Sequence, residues 1–218
     1  MISQLFRECF RGKSLARLFT NIYFKDLELF GKGIDLGAKS ANGSYYESLC
    51  LKTDDMTFVD FYHGDNNKIL KLNLEEQFNL KKSSYDFVMA FYILEHIFNT
   101  ENFFIETNKC LKKNGLFIGA IPFLHQYHAD PDDFIRLTPS FIKKMAIKHN
   151  FQVVDIQPLG VGMFTSATHL IFKSLKFNIV KFLISFISIY LDKILSKFFI
   201  GNKNFYIAIA FKLKKLNE

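Results

Sequence analysis

The sequence predicts an α/β fold in which a mostly parallel sheet is covered by helices on both faces. Short apolar strands alternate with helix-like segments along most of the 218 residues, and this alternation is typical of parallel strands joined by crossover helices. Residues 116–121 are almost continuously apolar, as expected of a parallel strand that is buried on both faces. Hydrophobic residues make up 49% of the chain and charged residues 22%, which excludes an intrinsically disordered protein.

The N-terminal residues 2–29 are predicted to form one or two helices, because apolar side chains such as Leu5 and Leu15 recur at helical spacing. Thr138 and Pro139 have the residue types of a helix N-cap and first position, so another helix is expected to begin there. Further helices are expected at residues 45–51 and 100–111. Strands are predicted at residues 31–37, 57–60, 69–74, 85–90, 116–121, 151–156 and 205–211, with a turn at 112–115.

A long apolar segment at residues 170–200 interrupts this alternation. Its longest uninterrupted run, residues 182–191, is too short to span a bilayer. Five polar residues recur every three or four positions, which places them on one face of a helix and leaves a broad apolar arc elsewhere. They are Lys181, Ser185, Ser188, Asp192 and Ser196. We favour a helix packed over the functional site or at a dimer interface, with contact to a membrane surface as the alternative.

The formal net charge is +7 at pH 7, yet Lys and Arg are scattered rather than gathered into a stripe with interleaved aromatic residues. A nucleic-acid partner is therefore not expected, whereas an anionic small molecule, a phosphorylated carrier or an acidic lipid surface would satisfy the charge. The nearest basic run, Lys212, Lys214 and Lys215, is interpreted as a solvated tail. The three cysteines are isolated and no segment resembles a signal peptide, so we expect a cytoplasmic protein.

A ligand site is predicted at the carboxyl edge of the sheet, where one strand ends near Gly37 and the next on Asp60. Glycine permits close approach of a ligand to the backbone, and a carboxylate at the second strand end can accept hydrogen bonds from both ribose hydroxyls. The dinucleotide pattern G-x-G-x-x-G is not completed, because Lys39 and Asn42 stand where it needs glycines, and this disfavours an NAD site. Residues 12–14 likewise lack the first glycine of a P-loop.

Four ordered motifs resemble those of the class I S-adenosylmethionine (SAM)-dependent methyltransferases. They are Asp35-Leu36-Gly37-Ala38, Asp60, the run from Tyr85 to Ile97, and Leu111 to Gly115 with its following strand. The Leu-Glu-His-Ile piece that ends the third motif is especially typical of the small-molecule branch. The resemblance covers residues 30–157 and the final strand. It implies SAM as cofactor and a Rossmann-like three-layer sandwich, with a seven-stranded, mostly parallel sheet whose last strand is antiparallel.

The resemblance also implies which residues bind the cofactor, namely Asp35, Gly37, Ala38, Asp60, Phe61, Asn73, Leu74, Phe91 and Tyr92. Asp35 and Gly37 would border the methionine part of SAM, and Asp60 would hold the ribose. Asn73 stands where many members have an Asp near the adenine, and Phe91 and Tyr92 would lie beside the sulfonium. The first turn has one close glycine where many relatives have two, so a weakened cofactor site is the alternative.

A second polar cluster, residues 125–138, follows the fifth predicted strand at the same edge of the sheet. A similar His…Pro-Asp…Arg…Thr string occurs in the methyltransferase branch often found with bacterial surface-polysaccharide genes. Transfer to a hydroxyl benefits from a base, so we expect His128, and after it His125, to be catalytic. Arg136 is expected to hold a carboxylate or phosphate of the acceptor. Tyr127 and His96 are predicted to contribute to the acceptor site.

Other interpretations of this cluster stay open. Residues 130–133 could form a simple turn, and Arg136 could make an internal salt bridge. His125, His128 and Asp130 have a usable metal-ligand spacing, but a loop without a further partner makes a metal site unexpected.

The sequence thus predicts one methyltransferase domain over residues 1–218. Its expected parts are N-terminal helices at 1–30, a cofactor-binding core at 31–157, an apolar helical insertion at 158–203 and the last strand at 204–213. The expected reaction is O-methylation of a sugar or glycan precursor. The alternatives are N-methylation of a small amine or phospho-amine, and a nucleoside- or NAD-binding protein without methyl transfer. A homodimer, or peripheral membrane contact through residues 170–200, is the expected further association.

Overall fold

The computed structural model describes residues 1–38, 43–62, 69–196, 198 and 201–216. Lys39 and Asn42, which interrupt the dinucleotide pattern, lie outside the described residues. The helices are α1 (Ile2–Phe10), α2 (Leu15–Tyr23), α3 (Thr100–Cys110), α4 (Pro139–Lys148), α5 (Met163–Ile171) and α6 (Asn178–Leu195). The strands are β1 (Glu28–Leu29), β2 (Gly33–Leu36), β3 (Cys50–Leu51), β4 (Met56–Asp60), β5 (Ile69–Lys71), β6 (Tyr85–Phe91), β7 (Leu111–Pro122), β8 (Phe151–Leu159) and β9 (Ala208–Lys215).

Seven strands form one sheet in the order β5-β4-β2-β6-β7-β9-β8. Strand β9 runs antiparallel to both of its neighbours, β7 and β8, whereas the other adjacent pairs are parallel. The predicted α/β fold, with a mostly parallel seven-stranded sheet and an antiparallel last strand, is therefore confirmed. The chain order reverses beside β2, between β4 and β6, and such a reversal opens a crevice for ligands outside the strand carboxyl ends.

Alternate side chains of β6 enter opposite layers, which explains why both faces of the sheet are covered. Phe87, Met89 and Phe91 pack into a core shared with α1 and α2. Val88 and Ala90 pack into a second core shared with α3 and α4. The central strands are buried on both faces, as the continuous apolar pattern predicted.

The helix predicted at residues 45–51 is wrong. Most of this segment forms turns, and its end forms β3, which pairs with β1 in a separate parallel pair. The hydroxyls of Tyr45 and Tyr46 both donate to the Asp35 carboxylate, at 2.8 and 2.5 Å. These tertiary hydrogen bonds hold the two consecutive tyrosines toward the same buried group, which the local sequence pattern could not reveal.

The turn predicted at residues 112–115 lies inside β7 instead. Asn114 has a φ of +62°, and pairing with β6 shifts from Leu111 opposite Tyr85 to Leu116 opposite Phe87. The backbone at this position thus forms a bulge-like irregularity within a long strand and does not end the strand. The neighbouring predictions hold: α3 fills residues 100–110, and the Thr138 side chain accepts from the Phe141 N–H at the start of α4.

The basic run near the C-terminus is not a solvated tail, because it belongs to the buried strand β9. The Lys215 ammonium donates to the carbonyl oxygens of Asn108 and Leu111 at 2.8 and 3.0 Å. The Lys212 ammonium lies 4.4 Å from the centre of the Tyr23 ring, in a cation–π contact. These cations join β9 to neighbouring elements.

Helix α6 packs with its polar face inward. The Asp192 carboxylate accepts from the N–H groups of Phe164 and Thr165 at the start of α5, at 3.1 and 2.7 Å. The Ser188 hydroxyl of α6 is 2.5 Å from the Thr168 hydroxyl of α5. Of the predicted polar stripe, Ser188 and Asp192 therefore lie in the interface with α5, whereas Ser196 is exposed. Much of the apolar arc, including Ile187, Tyr190 and Ile194, is turned outward. Among the described helices, none combines the length and the hydrophobicity that a bilayer crossing needs.

Candidate functional site

Two clefts open at the carboxyl edge of the sheet. The first, here called the basic cleft, has a volume of about 360 Å³. It is lined by Gly12, Lys13, Ser14, Ala16, Arg17, Tyr92, Pro122, His125, His128, Phe172, Lys173 and Lys181. The second, the apolar cleft, has a volume of about 530 Å³. It is lined by Phe61, Asn73, Leu74, Glu75, Ile93, His96, Ile97, Phe98, Asp130, Pro131, Asp132 and Phe134.

Gly37 begins the turn after β2 in a conformation that favours glycine, with a φ of +101°. A Cβ atom at this position would lie 2.9 Å from the Ile93 side chain, which lines the apolar cleft. Asp60, at the end of the neighbouring β4, is largely buried, and its Oδ1 accepts from the Tyr62 N–H at 2.9 Å. The two predicted strand ends therefore meet at the crevice beside β2.

Five predicted cofactor residues line neither cleft; they are Asp35, Gly37, Ala38, Asp60 and Phe91. Asp35 is only 1% exposed, and burial raises the pKa of its carboxyl to about 6, against the opposing effect of the two tyrosine hydrogen bonds. The Phe91 ring packs 4.4 Å from the Tyr45 ring and 5.1 Å from the Phe24 ring. Asp35 and Phe91 thus support the wall of the basic cleft from behind, because both contact Tyr45, whose ring lies against Arg17.

Apolar side chains dominate the second cleft. Phe61 and Phe98 are exposed, and Leu74 and Ile97 are buried behind the surface. The Asn73 side chain is held locally, because its amide donates to Glu76 and its carbonyl accepts from the Glu75 N–H. The predicted residues Phe61, Asn73 and Leu74 thus lie together and can enclose a flat ring.

Arg17 is the central cation of the basic cleft. Its guanidinium lies 4.8 Å from the centre of the Tyr45 ring and 4.6 Å from that of Tyr92. Its Nη1 is buried and has no hydrogen-bond partner among the described residues. Tyr92 is itself fixed by a hydroxyl contact of 2.6 Å to Thr20. Because a buried guanidinium N–H usually finds an acceptor, this arrangement can bind an anionic group.

The loop after β7 brings His125 and His128 into the same cleft. The His125 Nδ1 lies 3.0 Å from the His169 Nε2 on α5. Burial, and then the neighbouring His169, lowers the pKa of His125 to about 3, so this ring is neutral at physiological pH. Burial also lowers the pKa of His169 to about 4. His125 is therefore a weaker proton acceptor than its neighbour His128.

His128 faces a buried carboxylate. Its Nε2 lies 3.7 Å from the Glu95 Oε1, and its side chain is 30% exposed. The facing Glu95 raises the pKa of His128 above its ordinary value. The His96 ring packs edge-on against the His128 ring, with centroids 5.1 Å apart. An accessible His of raised pKa is suited to taking a proton near neutral pH.

Arg136 is engaged in an internal ion pair with Asp133, which sequence analysis left as the alternative to acceptor binding. Both guanidinium Nη atoms donate to the Asp133 carboxylate, Nη2 at 2.6 Å. Asp133 Oδ2 also accepts from the His128 N–H at 2.9 Å. Arg136 therefore positions the loop that carries His128. Tyr127 lines neither cleft and is 75% exposed.

Sequence reasoning missed Arg17, Glu95 and His169 as parts of this site. Arg17 lies on α2, where it was one of several basic residues between apolar positions. Glu95 was noted only within the Leu-Glu-His-Ile piece, and His169 only as part of an apolar segment. Adjacent sequence gave no signal that these residues meet the loop at 125–136, because tertiary packing alone brings them together.

Residues 34–119 match the family model described as "Methyltransferase domain". No curated protein sequence matches the chain. Many solved structures have a similar fold. A chain from the complex that contains the Haloferax volcanii Trm112 methyltransferase activator has a TM-score of 0.58 at 9% identity, with 98% of each chain covered.

Two further solved structures show the same likeness. A SAM-dependent methyltransferase from Mesorhizobium loti gives a TM-score of 0.55 at 11% identity, covering 92% of this chain and 98% of that one. The Haemonchus contortus phosphoethanolamine N-methyltransferase 2, bound to phosphomonomethylethanolamine and S-adenosylhomocysteine (SAH), gives 0.54 at 14% identity. The match covers 92% of this chain and 52% of the Haemonchus chain. At such identities the structures establish a shared fold.

Proposed function

We propose that this chain, which carries a class I SAM-dependent methyltransferase domain, methylates an oxygen of a small anionic acceptor, such as a sugar phosphate or nucleotide-sugar. The observation that carries this proposal is the basic cleft, where the accessible ring of His128 shares one cavity with the Arg17 Nη1, which has no hydrogen-bond partner in the part of the chain that the structure describes. The restriction to a glycan precursor rests on the sequence resemblance of the 125–138 string.

The residues at the sheet edge fit SAM. Asp60 is a largely buried carboxylate at the end of β4 and is suited to accept from ribose hydroxyls. Phe61, Leu74 and Ile93 give the apolar cleft walls that suit an adenine ring. Gly37 keeps the turn after β2 free of a side chain that would meet Ile93. SAM supplies a sulfonium-bound methyl group that a nucleophilic acceptor atom can displace.

Four cations support an anionic acceptor in the neighbouring cleft. Arg17, Lys13, Lys173 and Lys181 line it, and phosphate or carboxylate oxygens would satisfy the buried guanidinium N–H of Arg17. These groups orient the acceptor, and orientation supplies much of the rate in a displacement reaction. His128 accepts the proton of the acceptor hydroxyl, with His125 as the second candidate.

Calorimetric titration with SAH tests the cofactor site. We expect micromolar binding to the wild type, and roughly 10-fold or greater weakening in Asp60→Ala, since a hydrogen bond to a charged group contributes about 1.5–3 kcal/mol. Asp55→Ala, which removes an exposed carboxylate just before β4, is the matched control and should bind SAH normally. Absence of SAH binding by the folded wild type, or binding of NAD in its place, would refute the proposal.

N-methylation of a phospho-amine is the second candidate. The Haemonchus enzyme binds a phosphorylated amine, and the basic cleft would accept a phosphate of that kind equally well. Purified protein with labelled SAM should be offered nucleotide-sugars, sugar phosphates and phosphoethanolamine in parallel. Label in a sugar product supports the first proposal, whereas label only in the phospho-amine supports N-methylation.

We propose, as a separate property, that the outward face of α6 binds an anionic membrane surface. Ile187, Tyr190 and Ile194 are exposed on this helix, and exposed Phe6 and Phe10 of α1 lie beside it. An apolar groove of about 200 Å³ runs between the two helices. Exposed lysines in the same segment complement anionic headgroups. They are Lys176 and Lys193.

Flotation with vesicles tests this surface. We expect the protein to float with phosphatidylglycerol-containing vesicles, and a Phe6→Ser, Tyr190→Ser double variant to remain below. Neutral vesicles should bind much less, because the lysines then lack their counter-charge. A protein that stays unbound and sediments as a dimer would instead assign the face to a second copy of the chain.

A further inference from the structure

Three hydrogen-bond acceptors converge between the two clefts with no donor among them. Glu95 is fully buried, and neither of its carboxylate oxygens has a hydrogen-bond partner among the described residues. Its Oε1 lies 3.9 Å from the His96 Nε2 and 3.7 Å from the His128 Nε2. Both distances exceed those of a hydrogen bond. A buried carboxylate without a hydrogen-bond partner is costly, and Arg136 acts on Glu95 only through space, so a cation bound directly to the carboxylate oxygens would stabilise it.

The other ring nitrogens fix how each histidine is protonated. The His96 Nδ1 lies 2.5 Å from the carbonyl oxygen of Asp132, and the His128 Nδ1 lies 3.1 Å from that of Gln126. A carbonyl oxygen can only accept, so each Nδ1 carries the hydrogen. In the neutral ring each Nε2 then presents a lone pair toward Glu95. Metal-binding histidines are oriented in this way by outer carbonyl groups.

We propose that Glu95, His96 and His128 bind a divalent transition-metal cation such as Zn²⁺, Mn²⁺ or Co²⁺. One ligand atom from each residue lies within 4.8 Å of the other two, so a modest closure of the side chains brings all three to metal-ligand distance. Two imidazole nitrogens and one carboxylate oxygen suit these ions. The buried Glu95 closes one side, and the accessible His128 leaves the other side open.

His128 lines the basic cleft and His96 lines the apolar cleft, so an ion held by both borders the two clefts. Three protein ligands with a free position characterise catalytic rather than structural metal sites. The catalytic consequence of this metal site rests on the proposed function. An ion at this position would polarise the acceptor O–H, and the proton would pass to water instead of to His128. Metal binding itself does not depend on methyl transfer.

The test is calorimetric titration of tag-free, chelator-treated protein with CoCl₂, MnCl₂ and ZnCl₂, without SAM or acceptor. We expect one ion per chain, visible absorption of the Co²⁺ form, and NMR shifts centred on the Nε2 atoms of His96 and His128. Glu95→Gln and His96→Gln should each weaken binding roughly 100-fold or more. His149→Gln is the matched control, since this ring faces Glu101 instead, and should bind the ion normally.

Failure of all three ions to bind the folded wild type at millimolar concentration would overturn the proposal and assign the charge near Glu95 to a protonated His128. Equal binding by wild type and Glu95→Gln would overturn it as well. If Glu95→Gln does not fold, His96→Gln and the Nε2 shifts decide. SAH titration is a separate readout, so a chain that binds metal but not SAH loses the proposed function alone.

Discussion

Asp35 contributes least to the stability of the folded protein at pH values where its carboxyl group is ionised. The variant Asp35→Asn, which cannot ionise, tests this pH dependence. The carboxyl is fully buried at the end of β2 and accepts from Tyr45 and Tyr46, yet burial raises its pKa to about 6. A raised carboxyl pKa means that the contribution to stability is fully present below the unfolded-state value near 4 and is lost as the pH rises through 6. The difference from the ordinary 3.8 corresponds to about 3 kcal/mol.

Asp35→Asn keeps a carbonyl oxygen for the tyrosine hydroxyls and cannot ionise. We expect urea unfolding to give equal stability for variant and wild type below pH 4, and a growing advantage for the variant that reaches about 3 kcal/mol above pH 6. A constant difference between pH 4 and pH 7, or a variant less stable than wild type at pH 7, would refute the reasoning.

Asp86→Asn provides a control of opposite sign. Partial burial by itself would raise the pKa of Asp86, but the hydrogen bonds from the Lys112 ammonium and the Lys32 N–H outweigh this effect and lower the pKa. A lowered pKa means that the wild type holds its extra stability above about pH 4 and loses it on acidification. The Asn variant should therefore be the less stable protein at pH 7, with the difference vanishing in acid.

Three other substitutions test single contacts. Gly37→Ala should cost about 1–3 kcal/mol in unfolding experiments and weaken SAH binding at least 10-fold, because φ is +101° and the new methyl group meets Ile93. Asp192→Ala should cost about 2–3 kcal/mol by urea unfolding, since two N–H groups of α5 lose their acceptor, and Asp192→Asn should fall between. Arg136→Lys should lower turnover roughly 10-fold with SAH affinity unchanged, because lysine cannot hold Asp133 through two nitrogens; unchanged turnover would leave the ion pair without a catalytic effect.

The sheet could be predicted because its strands are set by local pattern. Continuous apolar runs such as β6 and the end of β7 lie in the middle of the sheet. Each strand of this sheet was predicted within a few residues, except that β7 already begins at Leu111. The segment at 45–51 could not be predicted, because distant hydrogen bonds to Asp35 decide its conformation. Helix α6 had the predicted amphipathic pattern, but its orientation depended on α5, whose N-terminal N–H groups bind Asp192.

Only those parts of the site that lie within a single sequence segment, or at the end of a predicted strand, could be predicted. Asp60, Phe61 and Leu74 follow strand ends, so their meeting at one edge follows from parallel strands. Glu95 and His128 are 33 positions apart and come from the ends of two different strands, and no spacing rule links them. Arg17 reaches the site from a helix that precedes the whole sheet, so sequence reasoning had no motif by which to find it.

The position of Arg17 on α2 has a consequence for specificity among related proteins. Arg17, His128 and Lys181 line one cleft, yet each lies outside residues 34–119, the portion that matches the family model. If the proposed function holds, these acceptor-orienting residues are encoded outside the part of the chain that carries Gly37 and Asp60. A change of acceptor can arise by substitutions in α2, the loop after β7 or α6 that leave Gly37 and Asp60 untouched, so grafting these three segments between homologues should exchange substrates without exchanging the methyl donor.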